Sequence, residues 1–426
     1  MTKQKRQILS LFSCGGGMDI GFEGGFKVMK STLSQQHCHN WIATEDNKYF
    51  TLKESCFETI FANDIVADAK RVWVDYVSRK RGKDCSDIYH LKSIVEIVKA
   101  HKEGETTALP QNVDVVIGGF PCQDFSVAGK RNGLNSHKDH NGNIIADETP
   151  STESRGSLYM WMKEVIEITL PNIFIAENVK GLANLGNVKD IIQADFAKTG
   201  GDGYIVLSPQ ILHAARYGVP QSRERIFFIG VKKSALNAAA IRELSKSDVS
   251  KKYTPYPQPT HLLPNEANDL FSQRPLAPAV KCGDVLLDLP EPSETNDSSQ
   301  KFYSKAKYMG AHCQGQKEIE LNRLAPTIRS EHHGNIEFRR LSTEHGGKIT
   351  AELNYNMEER RLTLRECARI QTFPDDYNFV IEAKSERPKF SVSPSAAYKI
   401  VGNAVPPLLA YHIARRIEAV WSLYFD

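Results

Sequence analysis

Gln7-Ile8-Leu9-Ser10-Leu11-Phe12-Ser13-Cys14-Gly15-Gly16-Gly17 is a short apolar run that breaks into three consecutive glycines, and an amphipathic segment from Met18 to Phe26 follows it. A near-continuous apolar run of this length suits a strand buried on both faces, as in a parallel sheet. Glycines at its end let backbone approach a ligand closely. A strand-to-helix turn of this kind is where nucleotide-like cofactors bind in open α/β sheets, although taken alone the stretch also fits a plain tight turn.

Similar runs recur downstream at Trp41 to Thr44, Val113 to Ile117, Ile173 to Ala176, Tyr204 to Leu207 and Arg225 to Ile229. Stretches with helical periodicity lie between several of them: Leu91 to His101, Leu158 to Leu170 and Val188 to Lys198. The β-α-β alternation predicts a doubly wound α/β sheet. After about Lys233 the pattern changes, because Tyr253 to Pro264 and Arg274 to Pro292 are rich in proline and turn residues. A second, smaller, loop-rich domain is expected there. Helical character returns at Leu364 to Gln371 and at Pro407 to Leu423, and the last helix is expected to return to the first domain. The expected division is 1–233 for a catalytic and cofactor-binding domain, 234–360 for the second domain, 361–395 for a hinge and 396–426 for the C-terminal return.

Composition excludes several classes. The chain has 426 residues, 41% hydrophobic and 25% charged, which accommodates one large and one smaller domain. No apolar run approaches the roughly 18 residues needed to cross a bilayer, so a cytoplasmic protein is expected. The eight cysteines (14, 38, 56, 85, 122, 282, 313 and 367) form no CxxC pair, which suggests neither a zinc ribbon nor a disulfide framework, and no metal is expected. A net charge of +3 implies no polyanion partner by itself; local clusters of Lys and Arg would have to supply that signal.

Four groups of residues carry candidate chemistry. Gly118-Gly119-Phe120-Pro121-Cys122-Gln123 follows the strand Val113 to Ile117, so the Cys122 thiol is displayed at a strand's C-terminal end. Most free cysteines are buried structural residues, and the alternative for Cys122 is that role. Glu177-Asn178-Val179 would bring a carboxyl to the same sheet edge. In Gln221-Ser222-Arg223-Glu224-Arg225 the alternation points both arginines to one side of an extended segment. An acidic residue closing the strand after the glycine turn, here Glu45, would reach ribose hydroxyls.

In this order, these pieces resemble the DNA (cytosine-5) methyltransferase family. Arg365-Glu366-Cys367-Ala368-Arg369-Ile370-Gln371-Thr372-Phe373-Pro374-Asp375 and Gly402-Asn403-Ala404-Val405-Pro406 extend the match. The resemblance implies an S-adenosylmethionine-dependent, Rossmann-like catalytic domain, with residues 234–360 in the position of a target-recognition domain. It implies that Cys122 adds to C6 of a flipped cytosine, that Glu177 holds N3 and the exocyclic amine, that Arg225 donates to O2, and that Arg223 assists the thiol. A thiol with a pKa near 8.5 needs such help at neutral pH. For the cofactor it assigns Phe12, Gly16 and Gly17 to the methionine side, Glu45 to the ribose, Asp64 to the adenine amine, and Pro121, Leu158, Asn403 and Val405 to the walls; the product would be S-adenosylhomocysteine. For double-stranded DNA the candidates are Ser126, Arg323, Thr327, Arg329, His332 and Arg339, of which the histidine and arginines equally fit a plain solvated face, and the stretch after Cys122 is a candidate lid. Two departures stand out: Cys14 replaces the family's first loop glycine and Ser10 its usual acid, and Gly15 is expected to supply the lost backbone freedom.

The rivals are a tRNA cytosine-5 methyltransferase, whose usual Pro-Pro-Cys-Gln reads Phe-Pro-Cys-Gln here, and a catalytically silent DNA-binding homologue. Phe120 and the inserted second domain favour DNA; intact Cys122, Glu177, Arg223 and Arg225 argue against silence. A monomer of prokaryotic or phage type is expected, paired in function with a restriction endonuclease but in no stable complex with it.

Overall fold

The computed structural model describes residues 5–105, 109–121, 158–185, 187–269, 273–310, 316–330, 336–349, 352, 354, 355, 357–384 and 389–426. Eight strands form the central sheet: β1 Arg6–Leu11, β2 Phe57–Asp64, β3 Tyr89–Leu91, β4 Val115–Gly119, β5 Ile173–Val179, β6 Tyr204–Val206, β7 Gln210–His213 and β8 Glu224–Lys232. Their order is β7-β8-β5-β4-β1-β2-β3, with β6 also pairing with β8. Strands β1 to β5 run parallel and β8 is antiparallel to β5. Strand order reverses between β1 and β4. The carboxyl ends of the strands beside such a switch point frame a crevice, so topology alone locates a ligand site there.

Period-2 alternation divides the strand side chains between two cores. Ile8, Val115, Ile117, Ile175, Phe227 and Ile229 join one buried cluster; Leu9, Leu11, Val116, Phe174, Ile226 and Phe228 join the other. Helices α1 Gly17–Glu23 and α2 Ala67–Arg81 cover the first face, whereas α3 Ile94–Lys102, α4 Leu158–Thr169 and α5 Val188–Ala197 cover the second. The expected doubly wound sheet is therefore observed.

One expected strand is misplaced. Ile42–Glu45 is a strand, but it belongs to a separate antiparallel sheet with Lys27–Met29 and Tyr49–Leu52. The neighbour of β1 is β2, which the apolar-run reading missed.

Beyond Lys233 the described elements are short. They include Gly283–Leu286, Ser298–Lys301 and a three-stranded sheet of Lys317–Glu318, Glu337–Arg340 and Arg360–Arg361. The chain then forms α6 Leu364–Ile370, opened by a capping box between Thr363 and Glu366, followed by α7 Pro394–Asn403 and α8 Pro407–Phe425. Helix α8 lies on α1 closely enough that a Cβ on Gly21 would stand 2.4 Å from the Ala410 Cβ and 2.5 Å from the Pro407 oxygen.

Candidate active site

The turn after β1 is held from all sides. Its Ser13 N–H donates to the Asn63 oxygen (2.9 Å), and the Cys14 N–H donates to an Asp64 carboxylate oxygen (3.0 Å). Tyr89 and Tyr377 hydroxyls donate to the Cys14 and Gly15 oxygens at 3.0 and 2.6 Å. Phe12 (φ 52°) and Cys14 (φ 47°) take left-handed backbone conformations that side chains disfavour, as does Gly16 (φ 73°). Gly15 is not among the left-handed residues, so the expectation that it supplies the missing freedom fails. Cys14 itself adopts the conformation a glycine would take there. Gly15 is needed for space instead: a Cβ would meet Ile400 at 2.7 Å and the Tyr377 hydroxyl at 3.3 Å. Burial, followed by the Asp64 charge, pushes the Cys14 thiol well above its ordinary pKa, so it is an inert neutral group.

A cavity of about 190 Å³ opens at the carboxyl ends of β1, β2, β4 and β5. Phe12, Asp64, Pro121, Leu158, Glu177, Arg225 and Asn403 all line it. A smaller adjoining cavity shares Phe12, Glu177 and Asn403 with it and adds Gly17, Asp19 and Val405. Gly16 lines neither; it packs under Trp73, where a Cβ would stand 2.5 Å from a ring carbon.

Glu177 sits on β5 with its carboxylate 2.9 Å from Nε of Arg225, which projects from β8. Gly119 makes room for it, since a Cβ there would lie 2.6 Å from Oε2 of Glu177. Burial raises the Glu177 pKa, and the guanidiniums of Arg225 and Arg223 offset only part of that rise. Asn178 donates to the Phe120 oxygen (3.1 Å) and so fixes the turn that leads to Pro121.

Several expectations need correction. Glu45 is exposed on the separate small sheet, pairs with Lys30 at 3.5 Å, and lines neither cavity. The acid closing the strand next to β1 is Asp64. Arg339 does not face solvent: its side chain is 6% exposed and paired with Glu352, so it offers nothing to a phosphate. The adjacent Arg340 is likewise buried against Glu291 and Glu352. Arg323 is exposed beside Glu320, and Thr327 and Arg329 are half-buried. Arg223 is 1% exposed and donates to the carbonyls of Ile328, Gly402 and Ala404, a structural task not expected of a helper for a thiol. Cys122, Ser126 and His332 lie outside the described residues.

Sequence reading also missed lining residues. Ile65 and Val66, 41% and 45% exposed, flank Asp64 at the cavity; Ser93 and Ile94 stand beyond β3. An apolar pair directly after an acidic strand end was the available signal. Asp19, 1% exposed, was hidden in an amphipathic helix. The Ser10 and Thr59 hydroxyls are near it, yet neither carboxylate oxygen has a hydrogen-bond partner among the described residues. Burial raises its pKa to about 7.

Comparison with known proteins agrees with this geometry. The family model for C-5 cytosine-specific DNA methylase matches residues 6–419. The type II methyltransferase M.BsuRI of Bacillus subtilis is 30% identical over 99% of this chain and 81% of the relative. M.BspRI of Lysinibacillus sphaericus is 30% identical over 97% of this chain and 81% of its own. The solved structure of the Entamoeba histolytica methyltransferase EhMeth shares the fold, with a TM-score of 0.51 at 13% identity over 99% of both chains. Among the described residues no His, Cys, Asp and Glu cluster suits a metal ion, and no helix is long and apolar enough to cross a membrane. The chain belongs to the C-5 cytosine-specific DNA methylases and is a DNA cytosine-5 methyltransferase of the type II restriction-modification kind.

Proposed function

We propose that this chain transfers a methyl group from S-adenosylmethionine to C5 of a cytosine turned out of a specific short duplex sequence, through a covalent bond between Cys122 and C6. The supporting observation is the buried Glu177–Arg225 pair in a cavity also lined by Pro121, the residue directly before Cys122.

The cavity residues suit the cofactor. Phe12, Ile65, Val66, Ile94, Pro121 and Leu158 offer apolar faces to a flat heterocycle, and Asp64 and Ser93 offer polar groups beside them. Asp19, buried beside the glycine turn and lining the smaller cavity, fits an ammonium group. Phe12, Gly17, Asn403 and Val405 would line the methionine end, with Gly16 acting from beneath the turn. The ribose role assigned to Glu45 passes to Asp64, with Ser93 toward the adenine. The bound cofactor supplies an electrophilic methyl on a sulfonium.

The chain's own groups account for the remaining chemistry. The Cys122 thiolate adds to C6, and electron density moves toward N3 and C5. Glu177 shares its proton with N3 as charge develops there, which calls for a carboxyl whose pKa burial has raised. Arg225 donates to O2 while orienting Glu177. C5 would then accept the methyl, and loss of the C5 proton to solvent with expulsion of the Cys122 thiolate from C6 would release 5-methylcytosine. C5 and C6 cannot be reached inside a stack, so the base must be extruded at a cost of roughly a few kcal/mol.

Residues 234–360 would read the duplex, with exposed Arg323 and half-buried Thr327 and Arg329 as the described candidates for salt-sensitive phosphate contacts. Ser126 and His332 remain candidates from sequence. The chain would act as a monomer in a prokaryotic cytoplasm, beside a cognate endonuclease without a stable complex.

The test is bisulfite sequencing of DNA from a methylation-deficient host that expresses the chain, with Cys122→Ala and Glu177→Gln as controls. Methylated cytosines confined to one short sequence, absent with Cys122→Ala, are expected. Unmethylated DNA despite folded protein would overturn the reading.

A further inference from the structure

Gln221 and Arg223 line neither cavity, yet they join a segment that does, 401–405, to one that does not, 325–330. From Arg223, Nη1 donates to the Ile328 oxygen (2.8 Å), and Nη2 donates to the oxygens of Gly402 (3.1 Å) and Ala404 (2.9 Å). The last two carbonyls flank Asn403, which the chain presents to the cavity. Gln221 makes a parallel connection. Its Oε1 accepts from the Ile328 N–H (2.9 Å) and its Nε2 donates to Oε1 of Gln371 (3.1 Å), whose own Nε2 donates to the Val401 oxygen (2.5 Å).

The strap 325–330 is thus laid along 220–223. Ser222 N–H donates to the Ala325 oxygen (2.8 Å), and Ala325 N–H donates to the Pro220 oxygen (3.0 Å). Strap and wall also touch backbone to backbone, because a Cβ on Gly402 would lie 2.1 Å from the carbonyl carbon of Arg329 and 2.2 Å from the Ser330 nitrogen. Neither segment can shift without breaking buried hydrogen bonds, and donors left unmade there are costly.

We propose that the Gln221–Arg223 clasp couples the 325–330 strap of the recognition segment to the 401–405 wall of the cofactor cavity, so that a ligand bound at the wall orders the strap and duplex at the strap orders the wall. Arg223 is then a positioning residue that holds strap and wall, besides the charge it lends toward Glu177. The proposal rests on the cofactor reading above. Among the described lining residues none comes from 325–330, and the clasp and the Gly402 contact join that strap to the wall. Coupling between two sites is reciprocal and commonly amounts to about 5- to 150-fold in affinity.

Hydrogen exchange of the wild-type protein with and without S-adenosylhomocysteine tests this directly. Amides of 327–330 and of 401–405 are expected to slow together by several-fold; slowing confined to 401–405 overturns the proposal. Arg223→Lys keeps the charge but cannot hold three carbonyls. It is expected to bind S-adenosylhomocysteine about tenfold more weakly by calorimetry and to lose the strap's response; a folded variant with wild-type affinity and an intact strap response also overturns it. Where Arg223→Lys does not fold, the wild-type exchange decides alone. Wild-type protein with no binding heat and no exchange change at either segment would overturn the cofactor reading, and the coupling with it.

Discussion

Two buried clusters of carboxylates and arginines use the same residue types for opposite ends. In the network under the inserted segment, charges are matched: Arg340 and Arg360 both bind Glu291, Arg360 also binds Glu366, and Arg339 and Arg340 bind Glu352. Burial acts to raise the Glu291 pKa, but hydrogen bonds from Arg340 and Arg360 hold it down at about 2. At the sheet edge the balance is reversed. Glu177 has a raised pKa despite Arg225, and burial holds Asp19 at about 7. A fully matched network gives shape and resists proton exchange; an under-matched carboxyl stays ready to exchange a proton.

Glu177→Gln breaks the comparison most directly. It is expected to lower the methylation rate by about 10²- to 10⁴-fold, the range of a lost general acid–base contribution, while thermal unfolding shows a retained fold. Arg360→Met should do the reverse. With Glu291 and Glu366 left buried beside fewer partners, stability is expected to fall by about 3–5 kcal/mol in denaturant titration, with the rate per folded molecule largely kept.

Asp19→Asn sharpens the contrast through pH. An unfolded aspartate titrates near 3.9, below the folded value of about 7, so folding takes up a proton and stability declines as pH rises from about 4 to about 7. The variant should lose that slope, matching wild type near pH 4 and exceeding it by about 2–4 kcal/mol at pH 8 in the absence of cofactor. Glu291 behaves oppositely: its contribution is present above about pH 4.3 and is lost as pH falls through about 2. The smallest effect is expected from Cys14→Gly. Relief of left-handed strain, of order 1–3 kcal/mol, is largely offset by the extra freedom of an unfolded glycine, so melting should rise by only a degree or two and cofactor affinity should change by less than about threefold.

Much of the sheet edge that lines the cavity was legible because β1, β4 and β5 are buried on both sides and read as unbroken apolar runs ending near Phe12, Pro121 and Glu177. Strand β2 was not, because Phe57–Asp64 mixes apolar side chains with Glu58, Thr59 and Asn63, and Glu58 reaches Arg81 at 3.7 Å. Missing it moved the acidic strand end from Asp64 to Glu45. Helix α2 escaped notice because its apolar stripe of Val72, Trp73, Tyr76 and Val77 is embedded among Lys and Arg. The expected basic face failed at Arg339 because a guanidinium shows its partner only when Glu352 is folded against it. The clasp was illegible for another reason: Arg223 grips main-chain carbonyls 105 to 181 residues away, and carbonyls carry no sequence signature.

The packing of α8 on α1 sets an order in time. The glycine turn near the start of the chain rests on residues near its far end: Gly17 lies against the Val405 oxygen, where a Cβ would be 2.1 Å away, and Gly21 lies against Pro407 and Ala410. On the ribosome the turn therefore has no floor until residues 402–411 have left the exit tunnel. A chain truncated before residue 402 lacks both the floor of the turn and Asn403, which lines the cavity.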